Sequence, residues 1–288
     1  MNTVTLNDLK ALNLPRPGSH KGQNGRLLII GGSHLFHAAS IWALEVASRI
    51  VDLVHYSSVP ENNEIVMNVK KQFRDGIVIP GEDIDAYIRE DDTILIGPGM
   101  VRSTETATLT HTLLVAYPDK QWVIDAGALQ MLILSDIPPN AILTPHHQEF
   151  VGLWEKAVAE SPQFGQAISD EDKVKAFAKA YHCTLLLKGQ VDIASSGGKC
   201  DANVCTPGEV FHIEGGNEGM TKGGTGDVLA GLIAALTCYN DPVLSVLAGS
   251  FINKKAGDHL YEAVGPFYNA SDLAAQIPRT MKEFFIYK

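Results

Sequence analysis

Cysteine is scarce in this chain, and its cysteines do not form a metal-binding or redox pattern. The 288 residues contain no C-x-x-C pair and no pair of histidines near a cysteine, so neither a zinc framework nor a redox dithiol is predicted. We expect reduced thiols and no metal site made by protein side chains. The four cysteines are Cys183, Cys200, Cys205 and Cys238.

Long hydrophobic runs and positive charge are also in short supply. The longest apolar runs, such as residues 228–236, are far too short to cross a bilayer. With 23 Lys and Arg against 33 Asp and Glu, the net charge is −10, and a field of this sign repels nucleic acids and anionic membranes. We therefore expect a cytoplasmic protein with no nucleic-acid or membrane partner. A small anion such as a nucleotide is not excluded, because amides at a helix start bind anions without net positive charge.

What the chain does contain is a regular alternation of strand-like and helix-like segments. This alternation predicts an α/β fold with a mainly parallel central sheet. Residues 191–213 are predicted to form a small antiparallel hairpin region, with one strand at 202–205. No linker or repeat appears, so we expect one domain over residues 1–288, of which 1–25 form an irregular N-terminal arm. The predicted strands are 27–30, 53–56, 93–96, 122–124, 141–143 and 184–187, and the predicted helices include 38–51, 103–116, 127–134 and 169–182, the last capped by Ser169 and Asp172.

Unusual residues follow directly after five of the predicted strands. In open α/β sheets, ligands bind at the carboxyl ends of the strands, where the loops leave the sheet. The five segments should therefore line one common rim. They are Gly31-Gly32-Ser33, Gly97-Pro98-Gly99, Asp125-Ala126-Gly127, Pro145-His146 and Lys188-Gly189.

The most informative segment is the glycine-rich stretch 215–231, which leads into an apolar helix. Its free amides and the helix dipole predict a site for negative charge. Asp227 lies in the first helical turn, where a carboxylate repels a resting phosphate but can take a proton from an attacking hydroxyl. The alternative is an ordinary glycine-rich loop in which the dipole merely favours an aspartate. The segment has neither the Walker order nor the dinucleotide-binding glycine pattern.

These motifs resemble those of a known family. Gly223-Gly224-Thr225-Gly226-Asp227 is similar to the anion-hole and catalytic-base motif of the ribokinase-like superfamily, and residues 217–231 resemble its NAD(P)H-hydrate dehydratase branch. The resemblance spans roughly residues 20–278. The other matching pieces, in order, are His20-Lys21-Gly22, Gly31-Gly32-Ser33, Gly97-Pro98-Gly99, residues 123–129, Leu143-Thr144-Pro145-His146 with Glu149-Phe150, Leu187-Lys188-Gly189 and Ala270-Ser271-Asp272-Leu273.

The resemblance implies a ribokinase-like three-layer α/β sandwich and repair of hydrated NADH and NADPH. A phosphoryl group from ADP or ATP, with Mg²⁺, would pass to the hydroxyl of the damaged nicotinamide ring, and loss of phosphate would restore the double bond. The implied catalytic residues are Asp227 as base and Gly224, Thr225 and Gly226 as anion hole. The implied nucleotide-binding residues are Lys188, Gly189, Gln190, Val191, Asp192, Asn217 and Gly226, and the implied substrate-binding residues are Ala39, Gly99, His146 and Asp227.

Each candidate also has a plainer interpretation. His146 and His147 suggest a metal pair, although adjacent histidines point apart. Lys188 and Lys222 are each compatible with an ordinary lysine exposed to solvent as well as with a phosphate ligand. Asp125 is also compatible with a helix cap, and Asn217 with a residue that only stabilises its own turn. Trp42 and Trp154 are better explained by packing against other side chains than by stacking on a ligand.

The chain departs from the family pattern on the substrate side and in the glycine-rich loop. The usual small-residue turn is replaced around His37 and Ala38, the glycine before the second strand is replaced near Ile50, and Glu218 stands where the family has proline. Catalysis is therefore better supported than the exact substrate.

Two other functions are compatible with the motifs. A small-molecule alcohol kinase would use the same base and anion hole but stop at the phosphate ester, and a nucleotide-binding regulator would need no base at Asp227. The resemblance further implies a homo-oligomer, plausibly a tetramer, and a separate NAD(P)H-hydrate epimerase chain as metabolic partner. It does not distinguish ADP from ATP.

Overall fold

The computed structural model describes residues 2–197 and 208–286. Cys200, Cys205 and the predicted strand 202–205 lie outside these residues. The strands are β1 (Asn2–Thr3), β2 (Arg26–Ile30), β3 (Leu53–Ser57), β4 (Ile77–Val78), β5 (Thr93–Ile96), β6 (Gln121–Ile124), β7 (Ile142–Leu143), β8 (Thr184–Leu187), β9 (Asp192–Ser196) and β10 (Val210–Ile213). The α-helices are α1 (Ala38–Ala47), α2 (Pro60–Val69), α3 (Ile84–Glu90), α4 (Thr104–Ala116), α5 (Ala126–Met131), α6 (His147–Glu160), α7 (Asp170–Ala180), α8 (Thr225–Thr237), α9 (Pro242–Val264) and α10 (Ala270–Phe285).

All ten described strands form one sheet in the order β1-β10-β9-β8-β7-β6-β5-β2-β3-β4. The run from β8 to β4 is parallel throughout, while β9 is antiparallel to both β8 and β10. The predicted mainly parallel sheet with a small antiparallel region is therefore confirmed. Its parallel order brings the carboxyl ends of five motif-bearing strands to the same edge.

The sheet is covered by helices on both faces, which gives three layers. Alternate residues of one strand enter opposite cores: Leu27 and Ile29 of β2 pack under α1, α8, α9 and α10, whereas Leu28 and Ile30 pack under the helices of the other face. This is why the strands read as continuous apolar runs, since a parallel sheet buried on both faces has no polar side. Trp154 packs edge-on against Phe164 in the second core, with ring centroids 5.3 Å apart, as the packing interpretation expects.

The N-terminal arm is tied to the sheet more firmly than the sequence predicts. Asn2 and Thr3 pair in parallel with β10, and the Val4 amide donates to the His212 carbonyl at 2.9 Å. Leu9 is completely buried. The irregular-arm interpretation missed this strand because two residues show no periodicity.

The helix starts follow local sequence signals. The Ser169 hydroxyl accepts from the Asp172 amide, which confirms the predicted cap of α7. His146 caps α6 in a reciprocal box with Glu149: the imidazole accepts from the Glu149 amide, and the Glu149 carboxylate accepts from the His146 amide. None of the helices described is long and apolar enough to span a lipid bilayer.

Candidate active site

The five loops that follow the motif-bearing strands touch one another in sequence along the rim. A side chain at Gly31 would lie 2.4 Å from the Pro98 carbonyl oxygen, and one at Gly97 would lie 1.8 Å from that of Asp125. On the other side, Lys188 donates to the Asp125 carboxylate at 2.9 Å. The predicted common rim is therefore confirmed, and two of its glycines are required by close backbone approach.

A cavity of about 720 Å³ opens at one end of this rim, beside the start of α8. It has residues from the end of β8, the glycine-rich loop, α8 and α9 in its wall. The nucleotide-binding residues predicted from the resemblance line it with one exception: Val191, which is exposed. The lining residues are His146, Lys188, Gly189, Gln190, Asp192, Gly215, Gly216, Asn217, Glu218, Met220, Thr221, Thr225, Gly226, Leu229, Asn253 and Lys254.

The glycine-rich loop is held rigidly at the entrance to α8. Gly224 caps the helix with φ +98°, and a side chain there would lie 2.4 Å from the Trp42 ring, so only glycine fits. The Thr225 hydroxyl donates to the carbonyls of Met220 (2.7 Å) and Lys222 (2.9 Å). Amides of the first helical turn lack intrahelical acceptors, and Gly226 lies in the cavity wall, so this turn is suited to bind an anion.

The Lys188 ammonium lies between the cavity and a buried carboxylate. Asp125 Oδ1 accepts from Lys188 at 2.9 Å and from the Thr144 hydroxyl at 2.8 Å. Asp125 makes no side-chain bond to the start of α5, so its helix-cap interpretation is wrong. Lys188 is not a solvated lysine, because only 17% of its side chain is exposed. Its ammonium lies 3.5 Å from the position of a side chain at Gly226.

Two further carboxylates influence the same ammonium. Burial alone would lower the pKa of Lys188, but the surrounding carboxylates raise it instead, so the ammonium keeps its charge. These carboxylates belong to Asp125, Glu149 and Asp227. Burial, then repulsion from Asp125, raises the pKa of Asp227 to about 7, against the attraction of Lys188. A carboxyl group with this pKa is suited to general-base chemistry near neutral pH.

His146 lies at the junction of two cavities. Besides the large cavity it lines a smaller one of about 270 Å³ between α5 and α6, together with Arg102, Gln130 and Lys156. Half of its side chain is exposed, its Nδ1 accepts from the Glu149 amide at 3.2 Å, and its Nε2 lies 3.5 Å from the Glu149 carboxylate. Within residues 2–197 and 208–286 there is no cluster of three or more His, Cys, Asp or Glu that could hold a metal ion.

The sequence did not point to Lys254, which organises the cavity wall from α9. Its ammonium donates to the carbonyls of Gly189 (3.1 Å), Gln190 (3.0 Å) and Gly215 (3.3 Å), and lies 3.2 Å from the Asp192 carboxylate. It thereby joins the loop after β8 to the glycine-rich loop. The available signal was a lysine that directly follows the apolar first half of a helix.

Three polar residues of the glycine-rich loop have local partners. Asn217 Oδ1 accepts from the Gly219 amide (3.0 Å) and from the Tyr268 hydroxyl (2.7 Å), so it serves the turn while lining the cavity. Glu218, the departure from proline, accepts from the Tyr261 hydroxyl at 2.7 Å. Lys222 is exposed and donates to the Pro266 carbonyl.

The predicted substrate residues Ala39 and Gly99 lie against each other outside the large cavity. A side chain at Gly99 would lie 3.0 Å from the Ala39 methyl group. Behind Ala39, His37 shares a hydrogen bond of 3.2 Å with the buried Asn62, whose amide also donates to three hydroxyl groups. His37, one of the residues that depart from the family pattern, is therefore held in a polar network. Ile50, another of them, packs into the core.

The chain is similar in sequence to proteins of one family. Residues 27–279 match the family model described as NAD(P)H-hydrate dehydratase. The chain is 35% identical to a bifunctional NAD(P)H-hydrate repair enzyme of Methanocaldococcus jannaschii, covering 98% of this chain and 53% of that protein. It is 33% identical to an ADP-dependent (S)-NAD(P)H-hydrate dehydratase of Nitrosopumilus maritimus, covering 92% of this chain and 91% of that protein. The chain therefore spans about half the length of the bifunctional relative.

Two solved structures share the fold. A ribokinase-like superfamily protein from Enterococcus faecalis superposes with a TM-score of 0.81 at 22% identity, covering 98% of this chain and 96% of that one. An ADP/ATP-dependent NAD(P)H-hydrate dehydratase from Bacillus subtilis, co-crystallized with ATP and Mg²⁺, gives a TM-score of 0.76 at 22% identity, covering 98% of each chain. The predicted ribokinase-like α/β sandwich is therefore confirmed.

Proposed function

Because the chain belongs to the NAD(P)H-hydrate dehydratase family, we propose that it removes water from hydrated NADH and NADPH with ADP as phosphoryl donor. The observation that carries this proposal is Asp227, whose pKa is raised to about 7 at the start of α8, next to a nucleotide-sized cavity. A regulator that only bound nucleotide would have no use for a carboxylate at an anion site.

In the first step the ring hydroxyl attacks the terminal phosphorus of ADP. Its proton passes to Asp227, the new P–O bond forms, and AMP leaves with the electrons of the broken bond. The amides of the first turn of α8 stabilise charge that develops on the transferred phosphoryl group. Lys188, kept charged by its three carboxylate neighbours, balances the negative charge on the donor side.

In the second step the C–O bond to the new phosphate ester breaks and phosphate leaves. The adjacent ring carbon loses a proton, which ends on the departing phosphate, and the double bond of the dihydropyridine forms. Phosphoryl transfer is useful because hydroxide is a poor leaving group and phosphate a good one. His146, which lines both cavities and has half of its side chain exposed, is suited to contact the ring at their junction.

Mg²⁺ would accompany the nucleotide and neutralise charge on its phosphates. The described side chains offer no cluster of three metal ligands, which suits an ion held mainly by phosphate oxygens and water, as Mg²⁺ commonly is. ADP is the donor we favour over ATP, because relatives that cover most of this chain at 33% identity are named ADP-dependent.

The test is incubation of the protein with hydrated NADH, ADP and Mg²⁺ while the absorbance of the restored dihydropyridine is followed. We expect absorbance to rise together with one AMP and one phosphate per turnover. Accumulation of a phosphate ester of a small alcohol, with no consumption of hydrated dinucleotide, would assign the chain to the alcohol kinases instead. The same mixture without protein is the control for spontaneous dehydration.

We further infer that the reaction takes place in the cytoplasm and that the protein assembles as a homotetramer. We also infer that an epimerase of hydrated dinucleotides is its metabolic partner. The epimerase inference is supported by the relatives named bifunctional repair enzymes, of which this chain matches about half. A preparation of mixed hydrate epimers tests it. The chain should consume one epimer quickly, and added epimerase should make the remainder available at the same rate. Light scattering tests the tetramer.

A further inference from the structure

The smaller of the two cavities is lined by two cations that the proposed reaction has not used. Arg102, from the loop after β5, and Lys156, from α6, both lie in its wall. Within residues 2–197 and 208–286, their hydrogen-bond partners are oxygen atoms of Gln130 and Leu132, and none is a carboxylate. In a chain with a net charge of −10, two cations at one cavity without a carboxylate partner indicate a site for an anion.

The guanidinium of Arg102 is held in place by a chain of hydrogen bonds that reaches His146. Its Nε donates to the side-chain oxygen of Gln130, and the Gln130 amide nitrogen donates to Glu149 Oε1 at 2.8 Å. The orientation of this amide is fixed, because a guanidinium only donates and a carboxylate only accepts. Glu149 Oε2 accepts from the His146 amide at 2.9 Å. Both oxygens of Glu149 are therefore engaged, and its side chain is only 5% exposed, so it does not serve as the missing anion.

The head group of Lys156 lies beside the same glutamine. Its Nζ donates to the backbone carbonyls of Gln130 (3.2 Å) and Leu132 (2.8 Å), which leaves one of its three N–H donors for a ligand. Burial lowers the pKa of Lys156, against the attraction of Glu160, and an anion in the cavity would oppose that shift. The terminal nitrogens of Arg102 have no acceptor in the part of the chain that the structure describes. Free donors of two cations thus meet at Gln130.

The position of the cavity indicates which anion it takes. At about 270 Å³ it is smaller than the roughly 300–1,000 Å³ of pockets that enclose a drug-sized ligand, so it holds one part of a larger molecule. The phosphates of the donor are accounted for by Lys188 and the start of α8 in the large cavity. His146 lines both cavities, and in the proposed reaction it contacts the nicotinamide ring. In NADH and NADPH one ribose separates this ring from a diphosphate.

We propose that Arg102 and Lys156 bind the diphosphate that joins the two halves of the hydrated dinucleotide. The two terminal nitrogens of Arg102 match two oxygens of one phosphate group, and Lys156 adds a second positive charge. The loop that carries Arg102 also carries Gly99, one of the predicted substrate residues, so the substrate follows this loop from the ring site to the smaller cavity. This inference rests on the proposed function in taking a hydrated dinucleotide as the substrate.

The decisive experiment compares Arg102→Gln with the wild type on substrates that differ in their phosphates. For hydrated NADH we expect kcat/KM to fall by about 10- to 100-fold, because charge-assisted bonds to the diphosphate are lost. For the hydrated riboside of dihydronicotinamide, which has no phosphate, the two proteins should agree within about threefold. The KM for ADP should not change, since the donor occupies the other cavity. An equal loss on both substrates, or no loss on hydrated NADH, would overturn the assignment.

Three further variants separate a phosphate contact from a general effect of charge or fold. Arg279→Gln removes the same charge from an exposed residue of α10, on the opposite face of the sheet and outside both cavities, and should keep wild-type kinetics. Arg102→Lys keeps the charge without the fork of two nitrogens and should recover part of the loss. Lys156→Met should reproduce the dependence on substrate phosphate. Thermal melting checks that each variant is folded.

The remaining arms distinguish the sources of the anion and the proposed function itself. If Arg102→Gln impairs only hydrated NADPH, the cavity binds the 2′-phosphate, and if it alters only inhibition by inorganic phosphate, the cavity binds the released product; either result would overturn the assignment to the diphosphate. Calorimetry with NADH, which carries the same diphosphate, needs no turnover. The wild type should bind NADH at least about tenfold more tightly than Arg102→Gln does, and equal affinity would overturn the inference. Such a difference in a chain that dehydrates nothing would overturn only the proposed function.

Discussion

Three carboxylates and one ammonium share a small buried region between the cavity and the sheet. Asp227, Asp125 and Glu149 all act on Lys188, and burial, followed by repulsion from Asp125, raises the pKa of Asp227 to about 7. Because Asp125 is held by Lys188 and Thr144, Asp227 is the carboxylate left to exchange a proton with a ligand. The arrangement gives one group a protonation change in the physiological range.

The first prediction concerns Asp227→Asn. We expect turnover to fall by a factor of about 10²–10⁴, the usual contribution of a general base, while ADP affinity is retained. The native carboxylate has a raised pKa, so its charged form disfavours the folded state above pH 7; the variant should therefore melt at a higher temperature than the wild type at pH 8. Turnover within a few-fold of wild type would remove Asp227 from the base role.

A second prediction concerns the pH dependence of kcat/KM, which should decline below about pH 7 as Asp227 becomes protonated. Removing the neighbouring cation in Lys188→Met takes away an attraction for the carboxylate, so the acidic limb should move to higher pH. Removing a neighbouring negative charge in Glu149→Gln should move it to lower pH. Identical limbs in both variants would show that another group controls the profile.

The third prediction compares Lys188, which is mostly buried and lines the cavity, with Lys222, which is exposed and does not line it. Lys188→Ala should weaken ADP binding by about 10- to 100-fold, because a charge-assisted contact with phosphate is lost, and should affect the hydrated dinucleotide less. Lys222→Ala is the control, since this exposed lysine binds the Pro266 carbonyl instead of lining the cavity. Calorimetry of both variants measures the difference, and an equal ADP affinity for Lys188→Ala and wild type would contradict the role.

The sequence indicated only those site residues that lie next to a glycine motif or a strand end. Asp227 and Lys188 were found in this way. Glu149 and Lys254 were not assigned chemical roles, because their chemistry comes from α6 and α9 packing against segments about 40 to 80 residues away in the chain. Such proximity is set by tertiary packing and leaves no local pattern.

At the scale of elements, α9 and β9 are joined by a buried ionic cluster. Asp192 accepts from the Ser250 hydroxyl at 2.7 Å and from the Gly189 amide at 2.8 Å, and lies 3.2 Å from Lys254. Both charged side chains are at least nine-tenths buried. The cluster therefore fixes the loop after β8 against α9, and with it the donor side of the cavity.

The fourth prediction tests this cluster. Lys254→Met leaves Asp192 buried without its cation and should lower the free energy of unfolding by about 3–5 kcal/mol, with weaker ADP binding. The double variant Asp192→Asn with Lys254→Met should recover part of that loss, because no uncompensated charge remains. Lys255→Met is the control, since its ion pair with Asp258 is more exposed and should contribute less than about 1 kcal/mol. Urea denaturation measures all three variants.

Elements with strong periodicity and clear ends could be predicted closely. The strands at 93–96 and 184–187 agree residue for residue with the structure, and the start of α1 is confirmed at Ala38. Its end was placed too late, because Ile50 and Val51 follow as apolar residues that enter the core after the helix stops at Ala47. The two-residue strands β1 and β4 could not be predicted, since they are too short to show a period.

At the scale of the whole molecule, the fifth prediction concerns the choice of substrate. The departure at His37 is absorbed by Asn62, and Ile50 lies in the core rather than at the site. We therefore expect hydrated NADH and hydrated NADPH to be dehydrated with similar kcat/KM. Parallel kinetics on the two hydrates, with a panel of small alcohols, measures this. A strong preference for hydrated NADPH would indicate a dedicated contact to the 2′-phosphate.

The pairing of β1 with β10 has a consequence for synthesis on the ribosome. Asn2 and Thr3 leave the ribosome before their partner strand, which follows about 200 residues later; at the usual pace of translation this is a delay on the order of 10–40 s. The edge of the sheet next to β9 is likewise finished late, and so are the loop of Lys188 and the start of α8. A nascent chain therefore cannot bind nucleotide until most of it has been made, and ligand binding cannot assist the earlier stages of its folding.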